Sequence, residues 1–423
     1  MRGPCVRVCV SVAPDDGGSC NPPVFLRPTS PALTKKPPRS RHHRAPLPVS
    51  IRHLKLHLVS PVKNTCQETI DGLGQVVYKP HERDCRGIIG LPSHKHLKMG
   101  SYLEEMKAYF QTHNKHKEYV GHNSKVHTIG WNADGRRLAS GSYDKCVTIF
   151  LFDGHRETLR KDYTYKGHGD SVDQLCWHPT HSEQLTSASG DKTVRIWDTR
   201  THKCSATINT KGENINITWS PDGQTIAVGN KEDLVSFIDV RTHKIKHENQ
   251  FKFEVNELCW NNTNDLFYLT NAQSGHGYIH VYNYPEMELV HWIHAHPGNC
   301  ICIKFEPRGR YFATGSADAL VSIWDAQELY CMRTLPRLEW PVRTLSFSHD
   351  GQLLASGSED LTVDIAHVAT GEKVAHISIA NPTFTLAWHP RHFLLAYACD
   401  DKDDRDRDRD AGTVKLWGLG ERS

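Results

Sequence analysis

The sequence predicts an all-β protein, a seven-bladed propeller with a disordered N-terminal extension. Three observations predict this fold: a repeat of 41 to 46 residues, four strand-like segments in each repeat, and a leader without periodicity. The repeats fill residues 115–423. Because one such unit cannot bury its apolar faces alone, neighbouring units are expected to stack around a common axis.

The first element, residues 1–98, differs from the rest in composition. It carries 16 Lys and Arg against 6 Asp and Glu, and ten of its first 50 residues are proline. We expect disorder, because so proline-rich and polar a segment does not bury a core of its own. Three interpretations stay open: a nuclear-import patch, a mitochondrial transit peptide, or a leader without function upstream of a native start at Met99. We favour the last.

A short amphipathic helix is predicted next, over residues 99–114. Ser101 and Glu104 form a capping box, the usual pattern of a helix N-terminus. Apolar residues follow at helical spacing: Leu103, Met106 and Phe110. This spacing predicts one apolar helix face that packs against the propeller.

Each repeat begins with an alternating apolar segment that ends in an aromatic residue. These seven residues are Trp131, Trp177, Trp219, Trp260, Phe305, Phe347 and Trp388. A polar turn, a second strand, an Asp turn and a third strand follow, which with a linking strand make one four-stranded blade. The last unit ends on its third strand, at 413–417. The ring is therefore expected to close with an outer strand from about His116–Val120.

Two dipeptides mark the units that match the repeat best. Gly-His lies in the leading loop, which is the segment before the first strand, and Trp-Asp lies at the end of the third strand. At this period they are the signature of the WD40 repeat. The resemblance implies a buried, hydrogen-bonded chain of His, Ser or Thr, Asp and Trp. The second unit has the full set, His168, Ser187, Asp191 and Trp197. The fifth unit also has it, as His296, Thr314, Asp318 and Trp324. The first unit has three members, His122, Ser140 and Asp144.

We interpret these polar sets as structural rather than catalytic, because they recur with the blade. The third and fourth units have lost the set, and the fourth, without an Asp at its turn, is predicted to be the least stable blade. No phosphate-binding loop, nucleophile elbow or catalytic carboxylate pair is present, so we predict no enzyme, no cofactor and no small-molecule substrate. The sequence contains no run of 18 apolar residues, so it predicts no membrane-spanning helix.

Charge and metal-type residues also limit the function. Residues 99–423 carry 35 Lys and Arg against 42 Asp and Glu, so the globular part lacks the basic footprint of a nucleic-acid binder. In HWIHAH, His291 and His294 are expected to point to opposite faces of a strand, which argues against a metal site. The mixed-charge run at 399–412 is predicted to be a solvated loop.

Candidate partner-binding residues lie where the leading loop has lost Gly-His. Three such stretches, QFKFEVNEL, RLEWPVRTL and NPTFTL, contribute Phe253, Trp340, Arg343 and Phe384. Aromatic and Arg side chains are enriched at interface hot spots. Arg337, on the other side of Trp340, is also expected to pair with partner carboxylates. The alternative is that the aromatic residues fill the space of the missing His and Trp.

Several stretches go beyond the general repeat pattern, including NTKGENINITWSPDGQTIAVGNK, QFKFEVNEL, AHPGNCICIKF and WPVRTLSFSHDG. Over about residues 120–418 they resemble the THO complex subunit 3 family, the WD40 subunits of the nuclear THO assembly. The resemblance implies a non-enzymatic scaffold of the transcription–export machinery, which supports mRNP assembly and mRNA export in the nucleus. It implies other THO subunits as partners, and an RNA helicase, an export adaptor and RNA as indirect ones.

Two alternatives stay open: direct RNA binding by the propeller or its basic tail, and a different adaptor role. WDTR at 197–200 resembles the WDxR box of substrate receptors for a cullin ubiquitin ligase. This signal is short, and three of its four residues are expected in any WD40 blade or the link that follows it.

Overall fold

The computed structural model describes residues 94–399 and 412–420, together with the backbone of two short strands nearer the N-terminus. These strands, β1 (Gln67–Ile70) and β2 (Val76–Lys79), pair antiparallel. Apart from residues 94–98, the remainder of the predicted extension lies outside the described residues. So does most of the predicted mixed-charge loop of the last unit.

The contacts divide the chain into two units, residues 1–89 and residues 90–423. In the second unit, α1 (His94–Thr112) and β3 (Lys115–Val120) come before the first blade. Because α1 begins at His94, Ser101 lies inside the helix, and the predicted start at residue 99 was wrong. Lys, Leu and Met in the preceding turn are good helix formers, so the helix extends past the capping-box pattern.

Seven four-stranded antiparallel sheets form the blades, and the first strand of each blade lies innermost. The first blade contains β4 (Val126–Trp131), β5 (Arg137–Ser142), β6 (Cys146–Asp153) and β7 (Thr158–Lys166). The second contains β8 (Val172–Trp177), β9 (Gln184–Ser189), β10 (Thr193–Asp198) and β11 (Lys203–Asn209). The third contains β12 (Asn214–Trp219), β13 (Thr225–Asn230), β14 (Leu234–Asp239) and β15 (Lys244–Gln250).

The remaining blades repeat this order. The fourth contains β16 (Glu254–Trp260), β17 (Leu266–Gln273), β18 (His276–Asn283) and β19 (Leu289–His296). The fifth contains β20 (Cys300–Phe305), β21 (Tyr311–Ser316), β22 (Val321–Asp325) and β23 (Cys331–Leu335). The sixth contains β24 (Val342–Phe347), β25 (Leu353–Ser358), β26 (Thr362–His367) and β27 (Lys373–Ser378). The seventh contains β28 (Thr383–Trp388), β29 (Leu395–Cys399), β30 (Thr413–Leu419) and β3.

The ring closes through the pairing of β3 with β30, so the first and last strands of the propeller share the seventh blade. The carbonyl of Gly412 accepts the backbone N–H groups of Gly121 and His122 at 3.1 and 3.0 Å. Gly412 has a φ of 84°, and a Cβ at this position would lie 2.3 Å from the carbonyl oxygen of His122. Glycine is therefore required at the closure.

The apolar core lies between neighbouring blades, where the side chains of adjacent sheets meet. One cluster joins the second and third blades through Ile196, Ile217 and Ile226, all buried. Another joins α1 to the sixth and seventh blades, and there Phe110 stacks on Trp417 with ring centroids 4.9 Å apart. The helix thus braces the blade that closes the ring.

The predicted seven-bladed β-propeller is confirmed. Each of the seven aromatic residues that defined the repeat ends the innermost strand of one blade. Within the described residues, no helix combines the length and the hydropathy that a membrane span requires.

Candidate partner-binding surface

The second blade contains a buried hydrogen-bonded chain that runs from its leading loop to β10. His168 Nε2 lies 2.7 Å from Ser187 Oγ, and Trp197 Nε1–H donates to the same hydroxyl at 2.8 Å. On the other side of the imidazole, Nδ1 lies 3.0 Å from the carboxylate of Asp191. This carboxylate also accepts the backbone N–H of Gly169 at 2.7 Å, so it fixes the leading loop.

The fifth blade has the same arrangement and the first a shorter one. His296 Nε2 lies 2.9 Å from Thr314 Oγ1, which accepts Trp324 Nε1–H at 2.9 Å, and Nδ1 lies 3.1 Å from Asp318. In the first blade His122 contacts Ser140 at 2.7 Å and Asp144 at 3.1 Å, and Phe150 fills the place of the Trp.

The charge and the burial of these hydrogen-bonded chains favour a structural role for them. Burial raises the pKa of Asp144, but hydrogen bonds from His122 and two backbone amides lower it more, to about 2. The pKa values of Asp191 and Asp318 are also lowered, because the same balance of burial and hydrogen bonds holds there. The three imidazoles are at most 1% exposed, so a substrate has no path to them.

The leading loop of the sixth blade keeps the carboxylate but has no imidazole. Leu338 takes the position of His168 and is buried. Asp360 accepts the backbone N–H groups of Glu339 and Trp340 at 3.0 and 3.2 Å. The loop backbone is therefore held in place while the Trp340 side chain is left 57% exposed.

The two arginines that flank Trp340 have different surroundings. Arg337 Nη2 and Nε donate to Asp364 at 2.6 and 2.8 Å, and its Nη1 donates to a backbone carbonyl. The expectation that Arg337 pairs with a partner was therefore wrong, because its charge is already matched inside the blade. Arg343 Nε donates to Glu359 at 2.8 Å, and its side chain stays 40% exposed.

The two phenylalanine candidates also differ. Phe384 is 39% exposed, and the Arg343 guanidinium lies 6.0 Å from its ring centroid. Phe253 is half-buried, with its ring edge-on to His280 at 4.7 Å and beside Phe251 at 5.3 Å. Phe253 fills space at the edge of the fourth blade's core, so we leave it out of the surface described below.

Leu361, which is 58% exposed, also belongs to this surface and was not among the residues predicted from the sequence. It follows Asp360, the residue that holds the Trp340 backbone. The first two blades have Lys145 and Lys192 at this turn, so an apolar residue in the Lys position was the available signal. We call the following residues the blade-six surface: Trp340, Arg343, Leu361 and Phe384.

The central channel contains a hydrogen-bonded Gln–Glu pair and a lysine. Gln174 Nε2 donates to Glu257 at 3.0 Å, and Lys304 lines the same cavity of about 280 Å³. Burial lowers the pKa of Lys304, but Glu257 and other neighbours raise it more, so the ammonium stays charged. In the part of the chain that the structure describes, no three His, Cys, Asp or Glu residues are placed to hold a metal ion.

Comparison with known proteins identifies the family of this propeller. Residues 122–398 match the family described as the THOC3 beta-propeller domain. THO complex subunit 3 of Arabidopsis thaliana is 47% identical over 303 residues, which cover 72% of this chain and 95% of that protein. WD repeat-containing protein AAC3 of Dictyostelium discoideum is 33% identical over 307 residues, or 67% of this chain and 63% of that protein.

A third relative is less similar and covers less of this chain. Protein hir1 of Schizosaccharomyces pombe is 26% identical over 261 residues, which cover 57% of this chain and 25% of that protein. The match to the Arabidopsis protein is closer and spans nearly all of that protein. This chain therefore belongs to the THO complex subunit 3 family of WD40 β-propeller proteins.

Proposed function

We propose that this protein is a non-enzymatic scaffold subunit of the nuclear THO assembly, where it supports mRNP assembly and mRNA export. The proposal is supported by the similarity to a protein named THO complex subunit 3 over 95% of that protein's length. Other THO subunits are its direct partners, and an RNA helicase and an export adaptor associate through them. The buried His, Ser, Thr, Asp and Trp chains hold the blades rigid, as a scaffold requires.

The observation that carries the partner site is the exposed Trp340 on a loop with a fixed backbone. Asp360 holds two amides of the loop, and Pro341 restricts Trp340 to an extended conformation. A side chain on such a loop loses little conformational entropy on binding. Trp and Arg are frequent interface hot spots. Arg343 pairs with Glu359, the residue before Asp360. We therefore place a THO contact on the blade-six surface.

Contact with RNA is indirect in this proposal, because the globular part has more acidic than basic residues. A filter-binding assay on the chain from His94 onward, at two salt concentrations, tests this point. Weak retention at both is expected. Tight retention that falls steeply with salt would show direct phosphate contact and contradict it.

Affinity purification of the tagged full-length protein from nuclear extract, with mass spectrometry, tests the function itself. We expect THO subunits with the wild type and a strong reduction with Trp340→Ala, since truncating a hot spot costs about 2–4 kcal/mol of binding. Tyr330→Ala is the matched control, because Tyr330 is 53% exposed beside the outer strand of the fifth blade. It should leave the assembly intact.

The same purification distinguishes the ubiquitin-ligase alternative. In the WDTR stretch, the carboxylate of Asp198 accepts the backbone N–H groups of Arg200 and Thr201 at 2.8 and 3.2 Å. Such a turn is explained by local hydrogen bonding alone. Recovery of a cullin adaptor in place of THO subunits would overturn the proposed function.

A further inference from the structure

The outer strand of the fourth blade differs from the other six outer strands. β19 reads LVHWIHAH and contains no Lys, Arg, Asp or Glu. Each of the other outer strands carries at least one Lys or Arg: β3, β7, β11, β15, β23 and β27. Charged residues on an edge strand discourage pairing with another chain. β19 lacks this protection.

The free edge of β19 is also apolar and exposed. β19 pairs with β18 on one side, and no strand in the described part of the chain pairs with its other side. Leu289, Val290 and Trp292 are 49%, 53% and 56% exposed. A row of edge amides and carbonyls among exposed apolar side chains is the arrangement that accepts an added strand from a partner.

Aromatic rings cover one face of this edge. Tyr278 is opposite His294 and His280 is opposite Trp292, so these four side chains share a face of the β18–β19 pair. The rings of Tyr278 and His294 stack at 5.1 Å, and Tyr278 lies 5.8 Å from Trp292. The faces of Trp and Tyr rings attract guanidinium and ammonium groups.

The charge of the whole blade favours the same kind of partner. Residues 253–303 contain no Lys or Arg in 51 positions, but five Asp and Glu. Two of these acids, Glu286 and Glu288, are exposed in the turn that leads into β19. A basic segment laid along β19 therefore meets acidic residues at the turn and no opposing cation from this blade.

We propose that β19 binds an extended, basic segment of a partner protein, which adds to the fourth blade as a fifth strand. Backbone hydrogen bonds along the edge hold the segment. Its Arg or Lys side chains pack on the aromatic face and pair with the acidic turn. The site lies on a different blade from the blade-six surface and does not depend on the proposed THO function.

A synthetic peptide of alternating arginine and valine is the probe, and fluorescence anisotropy measures its binding to the full-length protein. We expect binding that is lost when every backbone nitrogen of the peptide is methylated, because this change keeps the charge but removes the donors. A peptide of alternating glutamate and valine should bind far less. Equal binding of either control peptide would overturn the proposal.

Two variants with matched controls locate the site. Trp292→Ala should weaken binding of the arginine–valine peptide about tenfold, while Tyr330→Ala leaves it unchanged. Val290→Lys restores the edge charge of the other outer strands and should weaken binding about as much, roughly tenfold. Its control is Thr207→Lys on β11, which already carries Lys203.

All four altered positions are exposed, so thermal unfolding should be unchanged, and a folding defect does not imitate the result. Unaltered binding by both β19 variants would refute the site. Sedimentation of the protein alone supplies a further outcome. A dimer that Val290→Lys disperses would show that a second copy occupies β19, contrary to the proposal.

Discussion

The second and sixth blades both hold their leading loops with a carboxylate, but only the second buries the group that the loop carries. Asp191 accepts a backbone amide and contacts the buried His168. Asp360 accepts two backbone amides and leaves Trp340 exposed. The part of the network that fixes the loop backbone is therefore separable from the part that fills the blade.

The interior of the sixth blade shows what replaces the lost residues. Ala366 takes the position of Trp197 and is fully buried. Arg337 reaches in from the leading loop to Asp364 in the middle of β26, whose side chain is only 6% exposed. An ion pair thus substitutes for the hydroxyl–imidazole contact, and the tip of the loop is left free for a partner.

The largest expected effect is a difference in stability between variants of Trp197 and Trp340. Trp197→Ala should lower the free energy of unfolding by about 3–5 kcal/mol, because Trp197 is buried and donates to Ser187. Trp340→Ala should change it by less than about 0.5 kcal/mol, because the side chain is exposed. Urea unfolding of both variants measures the difference. A similar loss in both would mean that Trp340 fills the blade.

The two arginines on either side of Trp340 sharpen the comparison within the sixth blade. Arg337→Ala leaves the carboxylate of Asp364 buried without its cation and should cost about 3 kcal/mol of stability. Arg343→Ala breaks an exposed pair with Glu359 and should cost less than about 1 kcal/mol. Thermal unfolding at low and high salt checks both. Equal costs would contradict the internal role of Arg337.

A smaller effect extends the comparison to the fourth blade. Ser187→Ala should cost about 1–3 kcal/mol, because it leaves the indole of Trp197 and the imidazole of His168 without their shared partner. The buried hydroxyl of Thr270 has no hydrogen-bond partner among the described residues. Thr270→Val should therefore be neutral or slightly stabilising. A cost as large as that of Ser187→Ala would contradict the contrast.

Hydrogen exchange gives the same contrast without substitution. The fourth blade has further buried polar atoms without partners among the described residues, in Trp260 and Asn271. Residues 266–283 should therefore exchange through openings of lower free energy than residues 185–198. Equal protection of the two segments would remove the fourth blade as the weakest.

The smallest effect is a dependence on pH. The pKa of Asp144 is lowered from 3.8 to about 2, so the folded state favours the charged carboxylate. The resulting stability is complete above about pH 4 and is lost as the pH falls towards 2. Asp144→Asn should flatten the stability curve in this range. An unchanged curve would show that the carboxylate contributes nothing there.

The fold was predictable because the repeat fixes it in the sequence. Seven aromatic residues at a nearly constant spacing mark the ends of seven inner strands, and the offset of the last unit predicts a closing strand. The start of α1 was not predictable from a capping box, because the helix continues through Gly100 into Leu97, Lys98 and Met99, which are good helix formers. Helix ends depend on such competition between local preferences.

The candidate surface was predictable only in part. The absence of Gly-His in the leading loop indicated Trp340. The exposure of the Trp340 side chain, however, depends on how the loop backbone is held, and the carboxylate that accepts its amide hydrogens lies 20 residues later. Arg337 was misjudged because its partner lies on β26, 27 residues later in the chain. Asp364 stands in the middle of TVDIAH, and a lone acid inside an apolar strand was the signal of a buried cation.

Affinity purification of the full-length protein and of Trp340→Ala from nuclear extract, with the folding of both checked beforehand, tests the central claim most directly. The wild type should recover THO subunits, and the folded variant should recover much less of them while Tyr330→Ala recovers the full set. A folded Trp340→Ala protein that recovers the same subunits in the same amounts would contradict the claim that the blade-six surface joins this propeller to its assembly.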